Sequence, residues 1–170
     1  IKAEQGGKLL DARVLNGPYD ENPDGGPGLR PMFDGFGHGA MRQSMAGIPH
    51  FRDVEFYGRF PAADLVFRDD RFPGAVRMTA LSPFIPHNDR DSSMPVAMLS
   101  FELANTTDAP IAYTLAGTLG NAGNNSGIHS FARDGKVSAL HLRSSDPAQA
   151  ETDHGELSIA TDADDVQQQD

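Results

Sequence analysis

The sequence predicts an all-β fold, an antiparallel two-sheet β-sandwich. Three observations predict it. About seven or eight short runs alternate apolar and polar residues with a period of two, as half-buried antiparallel strands do. The 170 residues include 18 glycines and 12 prolines, which interrupt any long helix. No helical run stands between the strands, which argues against an α/β arrangement.

The first expected strand is Lys8 to Leu15, with Leu10, Ala12 and Val14 on one face. Residues 16–50 then form a Gly/Pro-rich loop region, and long loops within a compact domain are commonly functional or mobile. Inside it, Asp20, Asn22 and Asp24 followed by Gly25 match the opening of an EF-hand calcium loop. Such a loop needs a bidentate Glu at its twelfth position, which here is Pro31, so an EF-hand is excluded. A calcium site of another kind and a solvated acidic turn both stay open for these three residues. The glycines between Phe33 and Met45 lack the Gly-Lys-Ser/Thr ending and the strand-to-helix frame of a phosphate cradle. Ala40 to Ala46 is expected to form one helical turn.

From Phe51 the pattern is strand after strand. Val54 to Phe60 is one, ended by Pro61; Ala63, Leu65 and Phe67 mark the next. A charged turn over residues 68–74 leads to a strand from Ala75 to Leu81. The stretch from Thr79 to Asn121 is the one around which the chain is organised. A polar loop fenced by Pro83, Pro86 and Pro95 enters a strand in which Ala97, Leu99, Phe101 and Leu103 share a face opposite Ser100 and Glu102. After the turn Asn105 to Pro110, Ile111, Tyr113, Leu115 and Leu119 alternate with smaller residues. Asn and Asp suit the turn and Pro110 can only begin a strand, so the two runs are predicted to pair as a β-hairpin. A polar loop, Asn121 to Gly127, precedes two further strands, Val137 to Leu142 and Glu156 to Thr161. Residues 162–170 are expected to fray. The whole reads as one domain, 1–170, or part of one.

Composition narrows the function. A net charge of −10 disfavours a nucleic-acid partner, which needs clustered Lys and Arg. No apolar run reaches the roughly 18–20 residues of a membrane-spanning helix. With no cysteine, disulfides and thiolate metal sites are excluded. The six histidines (His38, His50, His87, His129, His141 and His154) lack metal-ligand spacing, so no cofactor is expected beyond the calcium alternative. No Gly-x-Ser-x-Gly elbow is present. A glycosidase carboxylate pair is defined by its separation in space, which 24 acidic residues do not reveal. Ile1 in place of Met reads as a processed chain or a fragment, so no compartment is assigned.

The densest set of hydrogen-bonding groups is His87, Asn88, Asp89, Arg90, Asp91, Ser92 and Ser93, with prolines restricting the backbone on both sides. One reading has the Asp and Ser side chains satisfying local backbone N–H groups. The other has the loop as a rim that meets a sugar or a neighbouring domain. Phe84 and Ile85 are expected as core plugs.

The block Ser82-Pro83-Phe84-Ile85-Pro86-His87, then Asp91-Ser92-Ser93-Met94-Pro95-Val96-Ala97, then Asn105, resembles glycoside hydrolase family 116. That family includes β-glucosidases and the non-lysosomal bile-acid glucosylceramidase. Ala12 to Pro18, Phe51 to Phe56, Phe60 to Ala63, Gly117 to Asn121 and Leu157 to Thr161 fit the same pattern, so the likeness spans roughly residues 9 to 161. It implies a large, supersandwich-like opening β-sandwich domain, incomplete in this chain, that packs on a C-terminal (α/α)6 domain, and a retaining Glu/Asp pair housed in that second domain. No catalytic residue is therefore carried onto this chain, which alone is expected to be inactive. The implied role is a non-catalytic sandwich portion of an enzyme acting on β-glucosides or glucosylated lipid. It would brace the catalytic domain and line the substrate mouth. The alternatives are a stand-alone carbohydrate-binding module, weakened by the absence of Trp and the presence of only three Tyr, and a calcium-dependent interaction module.

Overall fold

The computed structural model describes residues 1–17, 48–120, 127–144 and 156–167. Residues 18–47 hold most of the Gly/Pro-rich region, including Asp20, Asn22, Asp24 and the helical turn expected at 40–46. They lie outside the described residues, as do residues 121–126, 145–155 and 168–170. The described chain is nearly all β, in three antiparallel sheets with no closed barrel. It divides into two compact units, Ile1–Ala116 and Gly117–Asp170.

In the first unit, β1 (Lys2–Gln5) and β2 (Lys8–Ala12) form a hairpin. Its two-residue turn is Gly6-Gly7, with φ of +56° and +81°. Positive φ at both central positions matches the twist of antiparallel strands and favours glycine there. On its other side β1 pairs with β7 (Ala112–Thr114), completing a three-stranded sheet in the order β2-β1-β7.

A second, four-stranded sheet is a meander of β3 (Asp53–Arg59), β4 (Ala62–Arg68), β5 (Ala75–Leu81) and β6 (Met98–Ala104). The register places Phe56, Leu65, Met78 and Phe101 in one row across the strands, with Val54, Phe67, Val76 and Leu103 in the next. Side chains alternate between faces, so these rows lie on the same side. Between β5 and β6 a single helical turn, α1 (Asp89–Ser92), sits within the polar segment.

The predicted hairpin between residues 97–103 and 111–119 does not form. β6 pairs with β5 in the four-stranded sheet, whereas β7 pairs with β1 in the three-stranded one. The link from Asn105 to Pro110 is thus an arch that carries the chain from one sheet to the other. It is internally bonded: the Asn105 Nδ2 donates to the Ala109 carbonyl at 2.7 Å, and its Oδ1 accepts from the Thr107 N–H at 2.8 Å. Period-two alternation identifies both strands but carries no information on their partners. β7 is also shorter than the alternation suggests, ending at Thr114.

The two sheets meet across a cluster of Ala3, Phe51, Phe67, Phe72 and Val76, joined by Leu65, Met78, Ile111 and Tyr113. Phe51, just before β3, is 1% exposed and lies 5.4 Å from Phe67 and 5.3 Å from Phe72, ring centre to ring centre. Burying such a side chain contributes about 1.5–3 kcal/mol. Beside the core, Arg13 is a buried cation. Its Nε is 2.8 Å from Asp11 Oδ2, and its Nη1 is 3.0 Å from both Asp69 Oδ2 and the His50 carbonyl oxygen. These contacts pin the segment after β2 to the turn after β4.

The second unit holds a three-stranded sheet in the order β10-β9-β8, from β8 (Gly127–Asp134), β9 (Val137–Ser144) and β10 (Glu156–Thr161). The central strand β9 supplies its buried residues, Ser138, Leu142 and Ser144.

Candidate functional site

One end of the four-stranded sheet concentrates exposed apolar side chains. Phe60 and Pro61 make the turn between β3 and β4, and the Ser82 N–H beyond β5 donates to the Pro61 carbonyl at 3.2 Å. That bond places Phe84 against Phe60, with ring centres 4.9 Å apart and planes inclined at 66°. Phe60 is 80% exposed, Phe84 47% and Ile85 50%. The expectation that Phe84 and Ile85 plug the core is therefore corrected: both lie outside it. The prolines at 83 and 86 keep this stretch extended beyond the sheet. Met94, Val96 and Leu99 add exposed apolar surface at the same end.

The polar segment beside them closes on itself. Asn88 caps α1: its Oδ1 accepts from the Asp91 N–H at 3.1 Å and its Nδ2 donates to Asp91 Oδ2 at 2.7 Å. The Ser92 Oγ accepts from the Ile85 N–H at 2.9 Å and donates to the Ile85 carbonyl at 3.1 Å. The Ser93 hydroxyl donates to the Asp89 carbonyl. Asn88, Asp91, Ser92 and Ser93 thus spend groups on their own loop, while His87, Asp89 and Arg90 are exposed. His87 sits at φ +62°, in the left-handed region that side-chain-bearing residues seldom occupy.

A second polar cluster occupies the opposite face of the same sheet. Asp64, 7% exposed in mid-strand β4, accepts from Thr79 Oγ1 at 2.7 Å. Its carboxylate also meets Arg77 Nη2 at 3.1 Å and Arg59 Nη2 at 3.2 Å. The Thr79 hydrogen bond, then those from Arg77 and Arg59, hold its carboxyl below the usual carboxylate range against the opposing effect of burial. Nearby, Glu55 accepts from Arg68 at 3.0 Å and from the Tyr57 hydroxyl at 2.9 Å, which lowers its pKa and raises that of Tyr57. Sequence reading missed this cluster, because residues 59, 64 and 77 become neighbours only through strand register.

The family model described as beta-glucosidase 2, glycosyl-hydrolase family 116 N-term, matches residues 5–170. The chain belongs to glycosyl-hydrolase family 116, as an N-terminal domain. No curated protein matches it. Within this family 116 domain, the segment Ser82 to Val96 contributes Phe84, Ile85, Met94 and Val96 to the exposed apolar end and carries its polar loop. Among the described residues, no group of three or more His, Asp or Glu is placed to hold a metal ion, and no helix is long and apolar enough to cross a membrane.

Proposed function

We propose that this family 116 domain is the non-catalytic portion of a retaining glycoside hydrolase acting on β-glucosides or glucosylceramide. It braces a catalytic (α/α)6 domain with the apolar end of its four-stranded sheet, and the 87–93 loop borders the substrate mouth. The observation that carries this reading is the exposed Phe60–Phe84 pair, bonded into place next to a preorganised polar loop. A contiguous apolar patch with a polar rim is the usual make-up of a contact surface between domains. The 66° inclination of the two rings favours domain docking over a stand-alone carbohydrate module, since a sugar-stacking platform presents its rings flat. The polar loop supports the mouth assignment by chemistry, because His87, Asp89 and Arg90 keep exposed donors and acceptors suited to hydroxyl groups.

The test is made on the whole gene product with an aryl β-glucoside. Phe84→Asp is expected to lower melting temperature and turnover together, while Asp89→Ala raises KM without changing melting temperature. The 1–170 chain alone shows no turnover. Wild-type activity and stability in the Phe84→Asp protein would remove the bracing role.

A further inference from the structure

The outer face of the four-stranded sheet holds a feature that docking at its apolar end does not use. Tyr57, Gly58, Arg59, Asp64, Val66 and Arg77 line an open depression of about 700 Å³. We infer that this depression is a binding site for a small carboxylate-bearing ligand, such as a sugar acid, built on the guanidinium groups of Arg59 and Arg77.

The two arginines come from different strands and converge on one carboxylate, each through a single Nη. A guanidinium carries five N–H donors in a rigid fork, so each retains an edge able to grip a second carboxylate. Arg59 is 79% exposed along its side chain and Arg77 46%, so those edges reach solvent. Asp64 fixes both groups while remaining nearly buried itself, and Thr79 fixes Asp64 in turn. The side-chain entropy normally lost when an arginine grips a ligand is thereby largely spent before binding.

Arg59 and Arg77 thus bring two guanidinium groups to one directly paired carboxylate. Glu55 is engaged by Arg68 and Tyr57, and Glu102 faces Arg77 across β5 and β6 in register. Among the described residues, Asp64 is the carboxylate within ion-pair distance of either arginine. The Tyr57 ring, 52% exposed, and Val66 supply an apolar wall for the carbon skeleton of a ligand.

Calorimetric titration of the full chain with glucuronate, glucose and inorganic sulfate, at low salt, tests the site. Glucuronate is expected to bind saturably and glucose not at all. Arg59→Ala and Arg77→Ala should each weaken glucuronate binding by about tenfold or more, the loss expected for a charge-assisted hydrogen bond. Arg68→Ala, on the same face but paired with Glu55, should leave it unchanged. Arg59 is so exposed that its variant keeps the wild-type melting temperature, which separates lost binding from lost folding. Absence of saturable glucuronate binding, or an equal loss in Arg68→Ala, would overturn the inference. Sulfate binding as tightly as glucuronate would overturn its carboxylate preference.

Discussion

The Tyr113 hydroxyl donates to the carbonyl of Pro73, joining strand β7 of one sheet to the turn that precedes β5 of the other. The contact also explains Gly74. A Cβ at that position would lie 2.6 Å from the Tyr113 hydroxyl oxygen and 3.0 Å from the ring carbon bearing it. The ring is held in the core cluster and bonded at its tip, so it cannot simply swing aside. Gly74→Ala is therefore expected to destabilise the chain by about 1–3 kcal/mol through overpacking. Tyr113→Phe should cost about 1 kcal/mol through the lost hydrogen bond. In the double variant the penalties should sum to less than their total, because the clashing oxygen is gone. Denaturant melts of the four proteins measure this, and strict additivity would refute the steric account.

Phe51 touches both Phe67 and Phe72 and is 1% exposed. Phe51→Ala should cost about 3–5 kcal/mol, since it removes a large side chain and leaves a cavity between two sheets. Urea unfolding of the first unit checks this. A loss under about 1 kcal/mol would mean that the cluster is not the centre of the core.

Acid should unfold the protein through a small set of carboxylates. Burial pushes the Asp69 carboxyl up, but the Arg71 N–H and the charges of Arg13, Arg71 and Arg52 outweigh it and hold its pKa below the ordinary value. The folded chain therefore binds this proton less readily than the unfolded chain. The resulting stability is fully present above the ordinary Asp value of about 4 and is lost as pH falls through the lower folded value. Asp64 and Glu55 shift in the same direction and add to the slope. Asp69→Asn should flatten melting temperature against pH below about 5, at the cost of lower stability at neutral pH, because it leaves Arg13 buried with one fewer carboxylate. An unchanged slope would exclude Asp69 from the acid transition.

The arch from residue 105 to 110 is held by two side chains, Asn105 and Thr107, and Asn105 bonds to both Thr107 and Ala109. Asn105→Ala removes bonds to the Ala109 carbonyl and to the N–H and hydroxyl of Thr107. A loss of about 1 kcal/mol is expected. Amide exchange should quicken at residues 105–114, with β5 unaffected. Uniform loss of protection across both sheets would instead indicate a global effect.

Much of this fold is legible in the sequence, and its limits have physical causes. β3, β4, β5, β9 and β10 announce themselves by alternation because each contributes several large apolar residues. β1 escapes because its one fully buried side chain is Ala3, too small to give a signal. β8 escapes because Ile128 and Phe131 fall on opposite faces and break the alternation. The hairpin expected at 97–119 failed because pattern reports which residues are half-buried and not which strand lies alongside. At the candidate site, prolines and hydrogen-bonding residues flag the 87–93 loop, but nothing in Phe84 or Ile85 says whether they face inward. The Arg59–Asp64–Arg77 cluster is a product of register and has no linear signature.

The arch has a consequence for the order of assembly. The meander from β3 to β6 joins neighbours in sequence and closes only short loops as it forms. β1 pairs with β7 through partners such as Lys2 and Thr114, about 110 residues apart. During synthesis β1 must therefore wait for β7 before its three-stranded sheet is complete. The four-stranded sheet is then the template on which β1 and β7 come to rest.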